Sequence, residues 1–432
     1  MSDCTQLLTA LKNGTHDQAL ATLYALDGAV RRLDEARARC VHTVETFAAR
    51  YGADAQGAAL FSGPGRTEIG GNHTDHQHGR VLCGSVDLDM LACAAPNGTR
   101  MVRIQSEGYP ALEISLDDLA PKKKEENTSA ALVRGVAAKI TELGYTLSGF
   151  DACANSTVLS GSGLSSSAAY ETLVGSIFNH FCCKDELDAV AIAKIGQYAE
   201  NVYFGKPCGL MDQMGSSVGG AVFIDFNDPA NPVVERVDYD FAKSGHALCI
   251  VDTCSSHGDL TDDYADITRE MGAVAACFGK KVLRDVPQQH FRAAISALRK
   301  ECGDRAVLRA MHFYDDDRRA VQEAEALKAG DFDRFLTLVN ASGRSSELHL
   351  QNTWSISDPR QQAIPLVLAV AQELLDGAGA VRVHGGGFAG TIQAWVPEDK
   401  LALFKSGMEA LLGQGKCHVL HIRPQGGCVV AE

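Results

Sequence analysis

From Ser62 to Gly79 the chain runs Ser-Gly-Pro-Gly-Arg-Thr-Glu-Ile-Gly-Gly-Asn-His-Thr-Asp-His-Gln-His-Gly, setting Arg66, Glu68, Asn72, Asp75 and three histidines on glycine-broken backbone. Polar side chains this dense, on backbone this permissive, converge on a small polar ligand rather than build an ordinary helix or strand. His73, His76 and His78 also have the H-x-x-H-x-H spacing of a zinc site completed by Asp75. The alternative is that they line a polar pocket, with His76 and His78 on its rim. A second segment, Ser160-Gly-Ser-Gly-Leu-Ser-Ser-Ser-Ala-Ala169, follows a strand pattern and opens a helical one. Its free N–H groups and the helix dipole face whatever sits in the loop. Gly161 and Gly163 let backbone approach an anion, and Ser165, Ser166 and Ser167 add hydroxyls for phosphate or magnesium. The plainer account of the same residues is a serine-rich N-cap with a flexible approach.

A third glycine segment, Val381 to Val396, contains G-x-G-x-x-G from Gly385 to Gly390. A dinucleotide site needs a helix after those glycines, whereas Thr391-Ile-Gln-Ala-Trp-Val alternates as a strand does. Strand, glycine loop and strand make a hairpin or a close backbone approach, which excludes the dinucleotide reading. No G-x-x-x-x-G-K-[ST] occurs in the chain, so the usual phosphate-binding lysine motif is absent. Asp212 follows a Pro-Cys-Gly turn among Leu210, Met211 and Met214. A carboxylate there is either a helix cap or a functional group.

The elements that must hold these residues follow from periodicity. Two amphipathic helices are expected up to about Arg50, broken near Asn13-Gly14 and Asp27-Gly28. Ala58 to Ser62 reads as a short strand. Val86 to Ala95 and Thr99 to Gln105 read as strands joined by Asn97-Gly98, a strong hairpin signal, with Ala111 to Ser115 continuing the sheet. Helices are expected at Thr128–Leu143, from the second glycine segment to about Phe181, and at Glu186–Tyr203, Asp263–Phe278 and Gln288–Arg299. Further strands fall at Ala152–Leu159, Ala221–Phe226 and Ala247–Asp252. Asn227 to Pro232 breaks both patterns and marks a domain boundary.

The chain has 432 residues, 45% of them hydrophobic, enough for more than one core. A net charge of -14 argues against nucleic acid as a partner. The first twenty residues are broken by Asp3, Lys12, Asn13, His16 and Asp17, unlike a signal peptide, and the longest apolar run is too short to span a bilayer. A cytoplasmic protein with no membrane partner is expected. The 14 cysteines are dispersed and include no C-x-x-C pair, so most are expected as small buried hydrophobes in a reducing compartment.

Taken together and in order, these segments resemble the galactokinase branch of the GHMP small-molecule kinases. Pro64 to His76 matches the family's Pro-Gly-Arg-Val-Asn-Leu-Ile-Gly-Glu-His-Thr-Asp-Tyr, and Gly161 to Ala168 its Gly-x-Gly-Leu-Ser-Ser-Ser-Ala. Cys208 to Gln213 matches Cys-Gly-x-Met-Asp-Gln, and Gly385 to Gly390 the late Gly-x-Gly-Phe-x-Gly. The resemblance covers nearly everything after about residue 50. It implies an α+β fold of two domains with the active site in the cleft between them. The expected division is an N-terminal helical extension over 1–45, an N-terminal kinase domain over 46–228 and a C-terminal one over 229–432.

The resemblance further implies ATP-dependent phosphorylation of galactose at the anomeric hydroxyl, with ATP and Mg2+ as cofactors and a monomer or weak homodimer as the working unit. Asp212 would orient that hydroxyl and take its proton, and Arg66 would keep Asp212 ionised and stabilise the transferring phosphoryl group. Gly161, Ser162, Gly163, Leu164, Ser165, Ser166 and Ser167 would wrap the ATP phosphates, with Ser167 and Glu200 holding magnesium. Asn72, His73, Asp75, Glu68 and Tyr264 would meet the sugar, Tyr264 having the alternative of an interface aromatic. The chain departs from the family where it has Asn72 for a glutamate, Glu68 for an asparagine and His76 for a tyrosine. An asparagine accepts one hydrogen bond and donates another where a carboxylate accepts two. A kinase of another sugar (amino, acetamido, deoxy or acid) and a non-catalytic sugar sensor therefore stay open beside the galactose reading.

Overall fold

The computed structural model describes residues 3–26, 30–158, 163–206, 208–255 and 260–432, apart from the side chain of residue 261. Three helices come first, α1 (Cys4–Lys12), α2 (Asp17–Leu23) and α3 (Val30–Tyr51). There follow β1 (Ala59–Gly70), β2 (Arg80–Pro96), β3 (Met101–Ser106), β4 (Leu112–Ser115), α4 (Ser129–Glu142), β5 (Phe150–Ser156), α5 (Ser166–Cys182), α6 (Ala189–Tyr198), α7 (Met211–Ser217), β6 (Ala221–Asp225) and β7 (Val233–Val237). The remainder is β8 (His246–Asp252), α8 (Thr261–Ala276), α9 (Gln288–Cys302), α10 (Asp304–Lys328), α11 (Phe332–Ser345), α12 (Ala363–Leu375), β9 (Ala380–His384), β10 (Thr391–Pro397), α13 (Leu401–Leu412), β11 (Cys417–Leu420) and β12 (Cys428–Ala431).

Two sheets organise the molecule. An eight-stranded sheet runs β12-β1-β2-β5-β3-β4, with β6 and β7 paired onto the other half of β2, and a four-stranded sheet runs β11-β8-β10-β9. Alternation along β1 and β2 sends Phe61, Ala92 and Ala94 into a core shared with α4, α5 and α6. Leu60, Leu91 and Cys93 point the other way, into a second core with Leu7, Leu11, Leu20, Val44 and Phe47 of α1 to α3. The first three helices are thus a covering layer of the large sheet. They are pinned by Asp89, which is wholly buried and accepts hydrogen bonds from Tyr24, Arg39, Ser62 and Arg423.

Four expectations are corrected. The first half of the first glycine-rich motif is strand: β1 continues through Arg66 and Glu68 to Gly70, with irregularities at Pro64/Arg66 and Glu68/Gly70. Every residue of β1 is buried, because both faces are covered, and glycine and proline are accommodated at those irregular points. The strands flanking Asn97-Gly98 do not pair with each other, since β5 lies between them, antiparallel to β2 and parallel to β3. The boundary expected at 228/229 cuts a hairpin, as β6 and β7 are hydrogen-bonded from Ala221–Val237 to Asp225–Val233. The limit at residue 45 falls inside α3. The late glycine loop joins β9 and β10 as an antiparallel hairpin. All fourteen cysteines are free, eight of them buried. Among the described residues no helix is long and apolar enough to cross a membrane.

Candidate active site

The glycine segments meet around one arginine. The Arg66 main-chain N–H donates to the Leu164 carbonyl at 3.1 Å, and its guanidinium donates to the Gly163 carbonyl. The same guanidinium reaches Asp212, in the first turn of α7, through Nε at 2.8 Å and Nη2 at 2.7 Å, while the Ser165 hydroxyl donates to the other carboxylate oxygen at 2.7 Å. Burial pushes Asp212 upward, but Arg66, Ser165 and Lys206 together hold it below the usual carboxylate range. The site therefore contains an ionised carboxylate fixed in orientation by two neighbouring segments.

Gly163 has φ +70, and a Cβ there would lie 3.1 Å from His384 Nδ1 and from Thr391 Oγ1, so Gly163 is clamped against the β9–β10 hairpin. His384 in turn accepts the Glu68 N–H at Nε2, 3.3 Å away. Gly161 and Ser162 lie outside the described residues. Leu164 is wholly buried as a core side chain. Ser165 sits in the left-handed region at φ 54, and Ser166 begins α5. Ser167 donates to Glu200 Oε1 at 3.1 Å; Glu200 is buried, bonded to Gln213 at 2.8 Å and 3.5 Å from Lys206.

The loop after β1 packs on both sheets. His73, at φ 56, pairs through Nε2 with the Gly386 carbonyl at 2.9 Å, and burial pushes it down to about 4, so its ring is neutral near pH 7. Asp75 takes the His76 N–H at 2.9 Å and is pushed up by burial to about 6. A Cβ on Gly209 would fall 2.0 Å from Asp75 Oδ2, so glycine at that position lets the loop close onto the segment that leads to Asp212. Tyr264 on α8 donates to the Gly387 carbonyl at 2.8 Å and packs edge-on against Phe388. His73, Ser165 and Phe388 all have positive φ, one in each of the three motifs, the kind of local strain that persists where surrounding structure fixes it.

Two residues expected to meet the ligand are engaged with protein, Asn72 through its whole amide and Glu68 through one carboxylate oxygen. Asn72 has no exposed surface; its amide donates to Glu68 and Gly385, and its oxygen accepts from Ser346 and Asn352. That leaves Asn72 no hydrogen-bonding capacity for a sugar. Glu68 Oε1 accepts from Asn72 at 2.9 Å and from Arg382 at 2.6 Å. Reasoning from sequence missed Arg382 and His384. An arginine and a histidine alternating with valines suggest a half-exposed strand, yet all of β9 is buried. Lys206 was missed as well, its only signal being a cation in the Gly-Lys-Pro turn before Asp212. Among the described residues no group of three His, Cys, Asp or Glu side chains is arranged to hold a metal, so the histidines do not form a zinc site.

This combination of two sheets, a serine-lined helix start and an arginine-held aspartate defines a GHMP-type small-molecule kinase. Residues 131–220 match the GHMP kinases N terminal domain, and residues 45–96 match the galactokinase galactose-binding signature. The chain belongs to the galactokinase family. It is 33% identical over 352 residues to the galactokinase of Streptomyces coelicolor, covering 80% of this chain and 86% of that one. Among solved structures it resembles the galactokinase of Lactococcus lactis complexed with galactose, with a TM-score of 0.75 at 24% identity, covering 90% of this chain and 99% of that chain. The fold is also shared with the Methanococcus jannaschii mevalonate kinase, with a TM-score of 0.60 at 14% identity over 85% of this chain and 99% of that one.

Proposed function

We propose that this chain transfers the γ-phosphoryl group of ATP to the anomeric hydroxyl of galactose, giving galactose 1-phosphate and ADP. The observation that carries this reading is the Arg66–Asp212–Ser165 cluster, formed where the sugar signature meets the serine-lined start of α5. The hydroxyl oxygen attacks the γ-phosphorus; the new O–P bond forms as the bond to ADP breaks, and the hydroxyl proton passes to Asp212. A carboxylate held below its usual range is a weak base, which suits a loose transition state in which the proton leaves late. Arg66 fixes Asp212 and adds positive charge beside the transferring group. In this reading His73 and Asp75, from the loop after β1, and Tyr264, from α8, meet sugar hydroxyls.

In this reading the phosphates are held by Gly163, Ser165, Ser166 and Ser167 and by the N–H groups that open α5. Ser167 and Glu200 fit magnesium, since a hydroxyl and a carboxylate oxygen stand 3.1 Å apart and both are hard donors. When bound, the ion would neutralise phosphate charge. In this reading the enzyme works in the cytoplasm, as a monomer or weak homodimer, on dissolved sugar and ATP.

The test is ADP release with Mg-ATP across galactose, N-acetylgalactosamine, galactosamine, glucose and arabinose. Strong turnover of galactose is expected. Turnover confined to another sugar moves the specificity, and silence on all of them despite ATP binding favours a sensor.

A further inference from the structure

Asn72 and Glu68 are bonded to each other at the join of the first motif and the late glycine loop, and they differ in how fully their polar atoms are engaged. Asn72 ties five segments together and is saturated: besides its side-chain bonds, its N–H donates to Asp316 at 2.8 Å and its carbonyl accepts from His312 at 2.9 Å. Glu68 is different. Both of its hydrogen bonds fall on Oε1, and no described residue donates to Oε2. Its side chain keeps 5% of its exposure, and it lies two residues from Arg66 on one side of β1, within the fields of Arg66 and Asp75.

We infer that Glu68 is the carboxylate that reads a sugar hydroxyl in this chain, presenting Oε2 to the ligand while Arg382 and Asn72 lock Oε1. The carboxylate sits on the strand, and Asn72, four residues on, is the pin holding the His73–Asp75 loop to α10 and to the late glycine loop. A carboxylate with one oxygen fixed by a buried guanidinium cannot rotate away, so its free oxygen recognises one hydroxyl at a fixed place. Asn72 contributes only by positioning.

The inference rests on the proposed galactose reaction, so wild-type turnover of galactose is measured first; its absence overturns both together. Glu68→Gln keeps the shape and a hydrogen bond from Arg382 but replaces the carboxylate. The variant is compared with wild type on galactose and on its 2-, 3-, 4- and 6-deoxy analogues. On galactose kcat/KM should fall about 10- to 100-fold, with KM for ATP unchanged. On the one analogue lacking the hydroxyl that Glu68 reads, the wild type should already be impaired and the substitution should add nothing. An equal penalty on every sugar, or no penalty on galactose, overturns the inference while leaving the reaction intact. Should Glu68→Gln fail to fold, Glu68→Asp supplies the same readout, because it keeps the charge for Arg382 while withdrawing the free oxygen by one methylene.

Discussion

Two arginine–carboxylate pairs meet at β1, one through Arg66 and the other through Glu68, and they are tuned in opposite directions. Arg66 and the Ser165 hydroxyl hold Asp212 below the usual carboxylate range. Glu68, facing Arg382 at 2.6 Å and close to Arg66, is nevertheless pushed up to about 7 by burial. An arginine partner is common to both, so it does not decide the outcome. Burial pushes both upward; at Asp212 it is outweighed by Arg66, Ser165 and Lys206, whereas at Glu68 it outweighs Arg382, Arg66 and Asn72. Each Asp212 oxygen also takes a hydrogen bond, whereas Glu68 has two on the same oxygen. The first pair keeps a carboxylate charged, and the second holds one where its ionisation is costly.

The widest separation between the pairs is expected on removing Asp212. Asp212→Ala should lower kcat by about 1,000-fold or more while galactose still binds, since general-base and orienting roles together are worth about 10²- to 10⁴-fold. Turnover by single-turnover assay and sugar binding by calorimetry check this, and normal turnover would sink the catalytic assignment. Asp212 is half-buried and its removal leaves the buried Arg66 guanidinium without its carboxylate, so some stability should be lost as well.

The second pair should behave the other way. Arg382→Met leaves Glu68 buried without its guanidinium and frees the Ile69 carbonyl that Arg382 also binds at 2.8 Å. Breaking a buried pair from one side costs about 3–5 kcal/mol, which urea unfolding would register directly. The Arg382→Met and Glu68→Gln double variant should recover part of that loss, as no uncompensated charge remains. Additive losses would show that the arginine acts through packing alone.

The same contrast marks how much could be read in the sequence. Arg66, Ser165 and Asp212 stood out because polar residues in glycine-broken segments are conspicuous. Helices such as α4, with Gly144 just past its end, and strands such as β6, β8 and β10 followed from periodicity. The buried polar residues were not legible. Asp89, in Val-Asp-Leu-Asp-Met, and Arg382, in Val-Arg-Val-His, alternate as if one face met water. Both strands are covered twice, Asp89 by the helices at the start of the chain and Arg382 by α11 and β1, and only tertiary packing reveals it. Asn97-Gly98 was read correctly as a turn and wrongly as a pairing signal. A turn sets the local bend, while β5, more than fifty residues on, wins the place beside β2 through its apolar face.

The smallest effect, and the sharpest on the comparison, is in pH. Asp212 is ionised across the neutral range, so it should leave kcat flat there. Glu68 titrates at about 7, so kcat/KM for the sugar should fall as pH drops through that value, by at most tenfold per unit, and Glu68→Gln should flatten this limb. Stability should move in the opposite sense. The folded state binds the Glu68 proton more tightly than the unfolded chain, whose carboxyl has an ordinary value near 4.5. The contribution of Glu68 to stability is therefore full below about 4.5 and declines as pH rises to about 7. Measured as the difference between wild type and Glu68→Gln in unfolding free energy, the Glu68 term should shrink over the same range in which sugar recognition grows. A parallel rise of both would mean that the carboxylate is ionised throughout, and that Arg382 outweighs burial as Arg66 does at Asp212.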